Sequence, residues 1–237
     1  MDSLPAEMHS LDGIPIFENL PESVREDIES KCRWRDARAG ERIIERGQDT
    51  NDVYLMLSGN AHVLNFSNSG RVVDYAALKS GDIFGELAAI DGLPRSATVV
   101  TRTPCRLAVL PGEAFMELVT TYPEITKFVL SRLAEVVRTG DERITDLSLL
   151  GAEQRVCLEL LRMARPDPAY LKNLVIYPVP TQTLIASGIG VSRETVARIF
   201  GRLARQKIIE RKAKTLYIRD RDKLEELAMS EDTAAGD

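Results

Sequence analysis

Between Phe84 and Val100 the chain reads FGELAAIDGLPRSATVV, with an acid, Glu86, and a base, Arg95, nine residues apart among small and apolar neighbours. Burying either charge is costly unless a partner offsets it. The two residues can close a barrel turn as an ion pair. They can instead face a bound group, with Arg95 offering a planar fork of donors and Glu86 offering acceptors. Gly85 beside them would let backbone come close to such a group, and Leu87, Ser96 and Ala97 complete the candidate cassette.

A second set of chemical groups sits near the other end, in VPTQTLIASGIGVSRETVARIFGRLARQKIIERKAKTLYIRD. Thr181 to Ala186 suits one short helix, and Ser187-Gly188-Ile189-Gly190 a tight turn. Ser192 can cap a second helix that continues from Arg193 to Arg205. Leu184, Ile185, Val191, Val196, Ile199 and Leu203 can supply its buried face. This is a helix-turn-helix pattern, and the alternating, basic IIERKAKTLYIRD after it suits a winged hairpin. Arg193, Glu194 and Arg198 fall at i, i+1 and i+5. On a helix crossing a DNA major groove, the arginines can each meet guanine O6 and N7, and Glu194 can accept from a cytosine amino group. Thr195, Arg202 and Lys212 suit phosphate contacts, which orient without reading sequence.

Charge distribution agrees with a polyanion at this end. Residues 181–221 carry ten Lys/Arg against three Asp/Glu, a net +7, whereas the other residues carry 21 basic and 33 acidic side chains, a net −12. A basic module on an acidic body points to nucleic acid as partner.

The elements that must position these groups fall into three segments. Residues 1–122 hold one early helical stretch, LPESVREDIES, and then short β-branched or alternating runs: ERIIER, DVYLMLSG, AHVLNF, RVVDYAAL, SATVVT and CRLAVL. Gly and Asx residues, among them Asn68-Ser69-Gly70, separate them. Short strands at regular spacing predict a small β-barrel or sandwich. Residues 123–150 change period. Pro123 can open a helix, and Leu130, Leu133, Val137, Gly140, Ile144 and Leu147 recur at spacings of 3, 4, 3, 4 and 3. That is a coiled-coil seam, which one helix cannot bury alone, so a two-fold homodimer is expected. Gly140 leaves a gap in the seam, flanked by the polar Thr139 and Asp141; a close helix approach or a ligand would fill it. Residues 151–237 contain an amphipathic helix (AEQRVCLELLRMA), a Pro-rich break (RPDP), the winged helix-turn-helix and a polar tail (SEDTAAGD). The expected class is therefore α+β.

Several functions find no support in the residues. No GxSxG, HExxH or P-loop motif is present, and two histidines leave little room for a catalytic dyad, so no enzyme is expected. Cys32, Cys105 and Cys157 show no metal-ligand spacing, which speaks against a metal site or a disulfide framework. The N-terminus MDSLPAEMHSLDGIP lacks a basic start followed by an apolar core, and no apolar run is long enough to cross a membrane. A cytoplasmic location without membrane association is expected.

SRETVAR resembles the recognition helix of the CRP/FNR family, the family of the cyclic-AMP receptor proteins. FGELAAIDGLPRSATVV resembles that family's phosphate-binding cassette, and the likeness in order and spacing runs over roughly residues 14–219. The resemblance implies an N-terminal cyclic-nucleotide-binding β-roll (a double-stranded β-helix), a long dimerisation helix and a C-terminal winged helix-turn-helix. It implies that Arg95 and Ser96 take the nucleotide phosphate, with the Ala97 N–H nearby, and that Glu86 takes the ribose 2'-OH. It implies double-stranded DNA with TGTGA-like half-sites as partner, and RNA polymerase where the protein activates. The family's dimer helix offers a Thr-Ser pair to adenine. Aligned without gaps from Leu147, that pair falls on Gly140 and Asp141, after Thr139. Cyclic AMP is the expected effector, with cyclic GMP as the alternative because Asp141 suits the guanine donors. Relatives that sense oxygen through an iron–sulfur cluster carry an N-terminal cysteine cluster, and this chain has only Cys32 there. A haem would need axial ligands, for which His62 alone is a poor basis.

Overall fold

The structure, a computed structural model, describes residues 10–66, 72–167 and 174–230. The expected turn at Asn68-Ser69-Gly70, Pro168 of the RPDP break and the terminal EDTAAGD lie outside them. The described residues divide into two compact units between Glu135 and Val136.

The N-terminal unit opens with a short 3-10 turn and α1 (Glu22–Lys31), followed by β1 (Arg33–Ala37), β2 (Arg42–Ile44), β3 (Val53–Ser58), β4 (Asn60–Phe66), β5 (Val72–Lys79) and β6 (Ile83–Phe84). Then come α2 (Glu86–Asp91), β7 (Thr98–Thr101), β8 (Cys105–Leu110), α3 (Gly112–Thr121) and the start of α4 (Pro123–Leu149). The strands form two antiparallel four-stranded sheets, in the orders β1-β8-β3-β6 and β2-β7-β4-β5. All six strand-like runs expected from the sequence fall on strands. The apolar runs YLML and CRLAVL are continuous rather than alternating because both faces of their strands are covered. Tyr54, Met56, Leu107 and Val109 point into the core shared with the second sheet. Val53, Leu55, Ala108 and Leu110 point the other way, onto Phe115, Leu118, Ile125 and Val129 of the helices. Successive strand side chains serve opposite faces, so a fully apolar strand is what a buried sheet between two layers requires.

The C-terminal unit holds the distal part of α4, α5 (Ala152–Met163), β9 (Arg165–Pro166), β10 (Leu174–Ile176), α6 (Gln182–Gly188), α7 (Arg193–Arg205), β11 (Ile209–Lys212), β12 (Thr215–Ile218) and α8 (Arg221–Met229). Strands β9 to β12 make one antiparallel sheet, and β11 and β12 are the expected wing hairpin. Ile185, Val196, Ile199 and Leu203 enter the core as expected, together with Val156, Leu160 and Phe200. Val191 packs at its edge, and Leu184 is only half-buried.

Helix α4 carries the predicted seam. Val137 and Ile144 are 60% and 64% exposed, and Leu130 and Leu147 are also largely exposed, so most of the seam is unburied within one chain. Leu133 differs, because it packs against the β-roll core. A side chain at Gly140 would meet nothing within 4 Å, so the gap is not filled by this chain's own atoms.

Candidate functional site

The cassette is built from the β2–β3 loop and the α2–β7 connection. Gly85 precedes α2 at φ +84°, a left-handed value, and places Glu86 in the first turn of the helix. A Cβ at Gly85 would also lie 2.8 Å from Arg95 Nη1 and 3.1 Å from Asp52 O. Glycine is therefore required on two counts, conformation and space. The backbone of Arg95 is held by the loop: its N–H donates to Gln48 O at 2.9 Å, and its carbonyl accepts from Gly47 N at 2.8 Å.

The Arg95 side chain is 3% exposed. Its Nη1 donates to Gly85 O at 2.7 Å, Nη2 to Asp52 O at 2.8 Å and Nε to Thr50 Oγ1 at 2.9 Å. Its guanidinium carbon lies 5.8 Å from the centroid of the Tyr54 ring, which is stacked on Phe84. Burial pushes its pKa down, opposed by the charges of Asp52 and Glu86, but an arginine remains protonated in either case. A guanidinium has five N–H donors, so two remain, one on each Nη. Two donors on one planar group suit two oxygens of one anion.

Glu86 is not the counter-ion of Arg95. No ion pair joins them among the described residues, and the ion-pair alternative for this motif is thereby corrected. The cation is met by carbonyl and hydroxyl oxygens instead, which stabilise a buried charge without burying a second one. Burial pushes the half-buried Glu86 carboxyl above its ordinary pKa, and its own amide, Arg132 of α4 and Arg95 pull it back. Ser96 is exposed, Ala97 is half-buried, and Leu87 is 37% exposed. Asn65 Nδ2 of β4 approaches Ser96 O at 3.4 Å. Thr139 and Asp141 are exposed on α4, within the C-terminal unit. Thr50, Asp52 and Tyr54 escaped the sequence reading because no motif marks them; only folding of the β2–β3 loop brings them to Arg95.

The second site is the exposed face of α7. Ser192 Oγ accepts from Thr195 N at 3.1 Å and caps the helix. Val196, Ile199, Phe200 and Leu203 turn inward, leaving Arg193, Glu194, Ala197, Arg198 and Gly201 outward as one stripe. Small residues at 197 and 201 leave the two flanking arginines standing clear of the helix surface. Three expected phosphate contacts are already engaged. Thr195 Oγ1 shares a hydrogen bond with Ser192 Oγ at 3.0 Å. Arg202 pairs with Glu153 of α5. Lys212 Nζ pairs with Glu210 Oε1 at 3.0 Å and lies over the Tyr217 ring. Burial of the opposite side of α7 against α5 turns Arg202 toward Glu153. In the wing, Glu210 also holds Arg219. Besides Lys212, the β11–β12 hairpin carries two further exposed cations near its turn, Arg211 and Lys214, which the sequence reading did not single out.

Both the cassette and α7 lie within segments that match known domain families. Residues 34–122 match the model of the cyclic nucleotide-binding domain, and residues 154–227 that of the Crp-like helix-turn-helix domain. The chain is 28% identical to the cAMP-activated global transcriptional regulator CRP of Haemophilus influenzae, over 79% of this chain and 84% of that protein. It is 29% identical to the cyclic AMP receptor protein of Thermus thermophilus, over 91% of this chain and 97% of that protein. Among solved structures it resembles the c-di-GMP responsive global regulator CLP of Xanthomonas campestris in fold (TM-score 0.66, 20% identity), covering 80% of this chain and 94% of that one. The order of domains defines a DNA-binding transcription regulator with an effector domain of the cyclic-nucleotide-binding type. The chain belongs to the CRP/FNR family.

Proposed function

We propose that this protein is a cytoplasmic, homodimeric transcription regulator without enzymatic activity, controlled by a cyclic nucleotide bound at the β-roll cassette. The observation that carries the reading is the buried Arg95, held by three acceptors with one N–H left on each Nη. In this reading Arg95 meets the cyclic phosphate, Ser96 and the Ala97 N–H assist, and Gly85, Glu86 and Leu87 take the ribose. The base is read from α4 by Thr139, Gly140 and Asp141. Cyclic AMP is the effector favoured by the named relatives; cyclic GMP is the alternative that Asp141 would suit, since guanine N1–H and its amino group are both donors. No metal, iron–sulfur cluster or haem takes part.

The exposed α4 seam pairs with a second copy. The two α7 helices then enter successive major grooves about 34 Å apart on a TGTGA-like palindrome. Arg193, Glu194 and Arg198 form the reading end, with Ser192 capping its helix and Thr195 suited to a phosphate. Arg202 and Lys212 support it, and either must exchange its carboxylate partner to reach a phosphate. An effector can shift the dimer only by binding its two states with different affinity. RNA polymerase is the further partner where the protein activates.

A second reading rests on the near-complete burial of Arg95, whose charge is already satisfied. It makes the protein a regulator that binds DNA without a cyclic nucleotide, or one that senses another effector. The experiment is fluorescence anisotropy of a labelled TGTGA-N6-TCACA duplex at fixed salt, without ligand, with cyclic AMP and with cyclic GMP. Tightening by one nucleotide supports the first reading and chooses the base. Tight binding indifferent to both overturns it in favour of the second.

A further inference from the structure

The β2–β3 loop does more than connect two strands. Over a few residues it meets Arg95 four times: Gly47 N and Gln48 O hold its backbone, and Thr50 Oγ1 and Asp52 O hold its side chain. The last two bonds differ in kind. Any residue at 52 presents the same carbonyl, whereas only the side chain at 50 can supply an acceptor to Nε. Gly85 O fixes Nη1 from the other side of the cassette. A guanidinium turns about its Cδ–Nε bond, so holding both Nη atoms and Nε at once leaves one orientation of the plane. The Asp52 carboxylate in turn is tied to Arg33 at 2.6 Å, which anchors the loop to β1.

We infer that Thr50 is a positioning residue for the effector site, its hydroxyl locking the plane of the Arg95 guanidinium so that the two unused N–H groups face a phosphate. The inference rests on the cyclic-nucleotide reading above and adds a residue from outside the cassette motif. Without the hydroxyl, Nε–H has no protein acceptor and only the two Nη bonds hold the plane, which leaves the fork less tightly fixed. Part of the ordering is then done when the anion binds, and affinity falls because pre-organisation is lost. Thr50 is exposed and belongs to none of the apolar core clusters, so its replacement should spare the fold.

The test compares Thr50→Val, which keeps the shape and loses the acceptor, with Thr50→Ser, which keeps the acceptor. Cyclic AMP and cyclic GMP are titrated into each full-length variant. In parallel, the Arg95 Nε–H signal of the 15N-labelled, nucleotide-free protein is followed by NMR, assigned by its loss in Arg95→Lys. The expected result is binding about three- to tenfold weaker in Thr50→Val, the net worth of one hydrogen bond. Thr50→Ser should match wild type, and Nε–H exchange should quicken in the valine variant alone. Equal affinity in Thr50→Val and wild type overturns the inference, and so does equal loss in both variants, which would mark Thr50 as a loop-shape residue. If wild type binds neither nucleotide, the effector reading fails separately. The exchange data then decide the lock: unchanged Nε–H exchange in Thr50→Val overturns it, and quickened exchange upholds it.

Discussion

Arg162 of α5 donates from Nη1 to Asp146 Oδ2 of α4 at 2.6 Å, and its Nη2 lies 3.8 Å from Glu142. The last turns of the long helix are thus tied to the first helix of the DNA-binding unit. Gly190 adds to the seam: it sits at φ +67°, and a Cβ there would come within 2.8 Å of Leu147 Cδ2. Arg155 Nη1 donates to Ile189 O in the same turn at 2.8 Å. The distal part of α4 and the helix-turn-helix are therefore joined by side chains as well as by sequence. A double-mutant cycle on Asp146→Ala and Arg162→Ala should give a coupling of about 0.5–1 kcal/mol in urea unfolding, as both groups are partly screened by solvent. Strict additivity would show the pair to be an idle surface contact.

Arg95→Leu should abolish any nucleotide response and also lower stability. It leaves Gly85 O and Asp52 O, on two half-buried residues, without their donor, at a cost of about 1 kcal/mol, the low end for unsatisfied polar groups. Isothermal calorimetry and thermal unfolding read the two effects. Normal nucleotide affinity with unaltered stability would refute the role given to Arg95.

Glu86 makes a prediction in pH. Its pKa is raised in the folded state, so the fold binds that proton more tightly than the unfolded chain does. The associated stability is fully present below the ordinary value of 4.5 and is lost as pH rises through the raised value. Glu86→Gln should remove this loss, making the variant more stable than wild type at neutral pH, with the advantage shrinking as pH falls toward 4.5. It should weaken nucleotide binding at the same time, because Gln is a poorer acceptor than a carboxylate for a ribose hydroxyl. Unfolding midpoints of both proteins across pH 4 to 8 check the sign. A variant advantage that grows toward acid would contradict it.

On DNA, two arginine and lysine positions should separate by kind. Arg198→Ala should cost about 1–3 kcal/mol on the preferred duplex and relax choice at one base pair. Lys214→Ala, at the tip of the wing, should weaken every sequence alike and flatten the salt dependence by about one unit of slope. Anisotropy at several salt concentrations, on specific and scrambled duplexes, distinguishes them. A uniform loss for Arg198→Ala would make it a phosphate contact.

The exposed seam gives the last test. Val137→Glu combined with Ile144→Glu should convert a dimer to a monomer in light scattering while leaving the β-roll core untouched, since both side chains point to solvent within one chain. A wild type that is already monomeric at micromolar concentration would remove the coiled-coil reading of α4.

Much of this molecule is legible in local patterns. The strand runs, the 3-4-3-4-3 spacing of the seam, the Ser192 cap and the outward SRETVAR stripe each depend on residues close in sequence, where periodicity and capping act. What lay beyond reach was every relationship that needs a third dimension. β1, with its sequence RWRDA, carries no strand pattern, and becomes one because Trp34 and Arg35 find Ala108 and Leu107 opposite them on β8. Glu86 and Arg95 invited pairing by their charges, yet the β2–β3 loop, more than forty residues before Arg95, supplies the acceptors that satisfy the arginine. Arg202 reads as one more basic residue on a DNA-facing helix until α5 brings Glu153 beside it. Sequence alone determined which side chains could do the chemistry, because residue type and short spacing decide that. Tertiary structure decided which of them are free to do it, because a charge is committed by whatever distant oxygen the fold sets next to it.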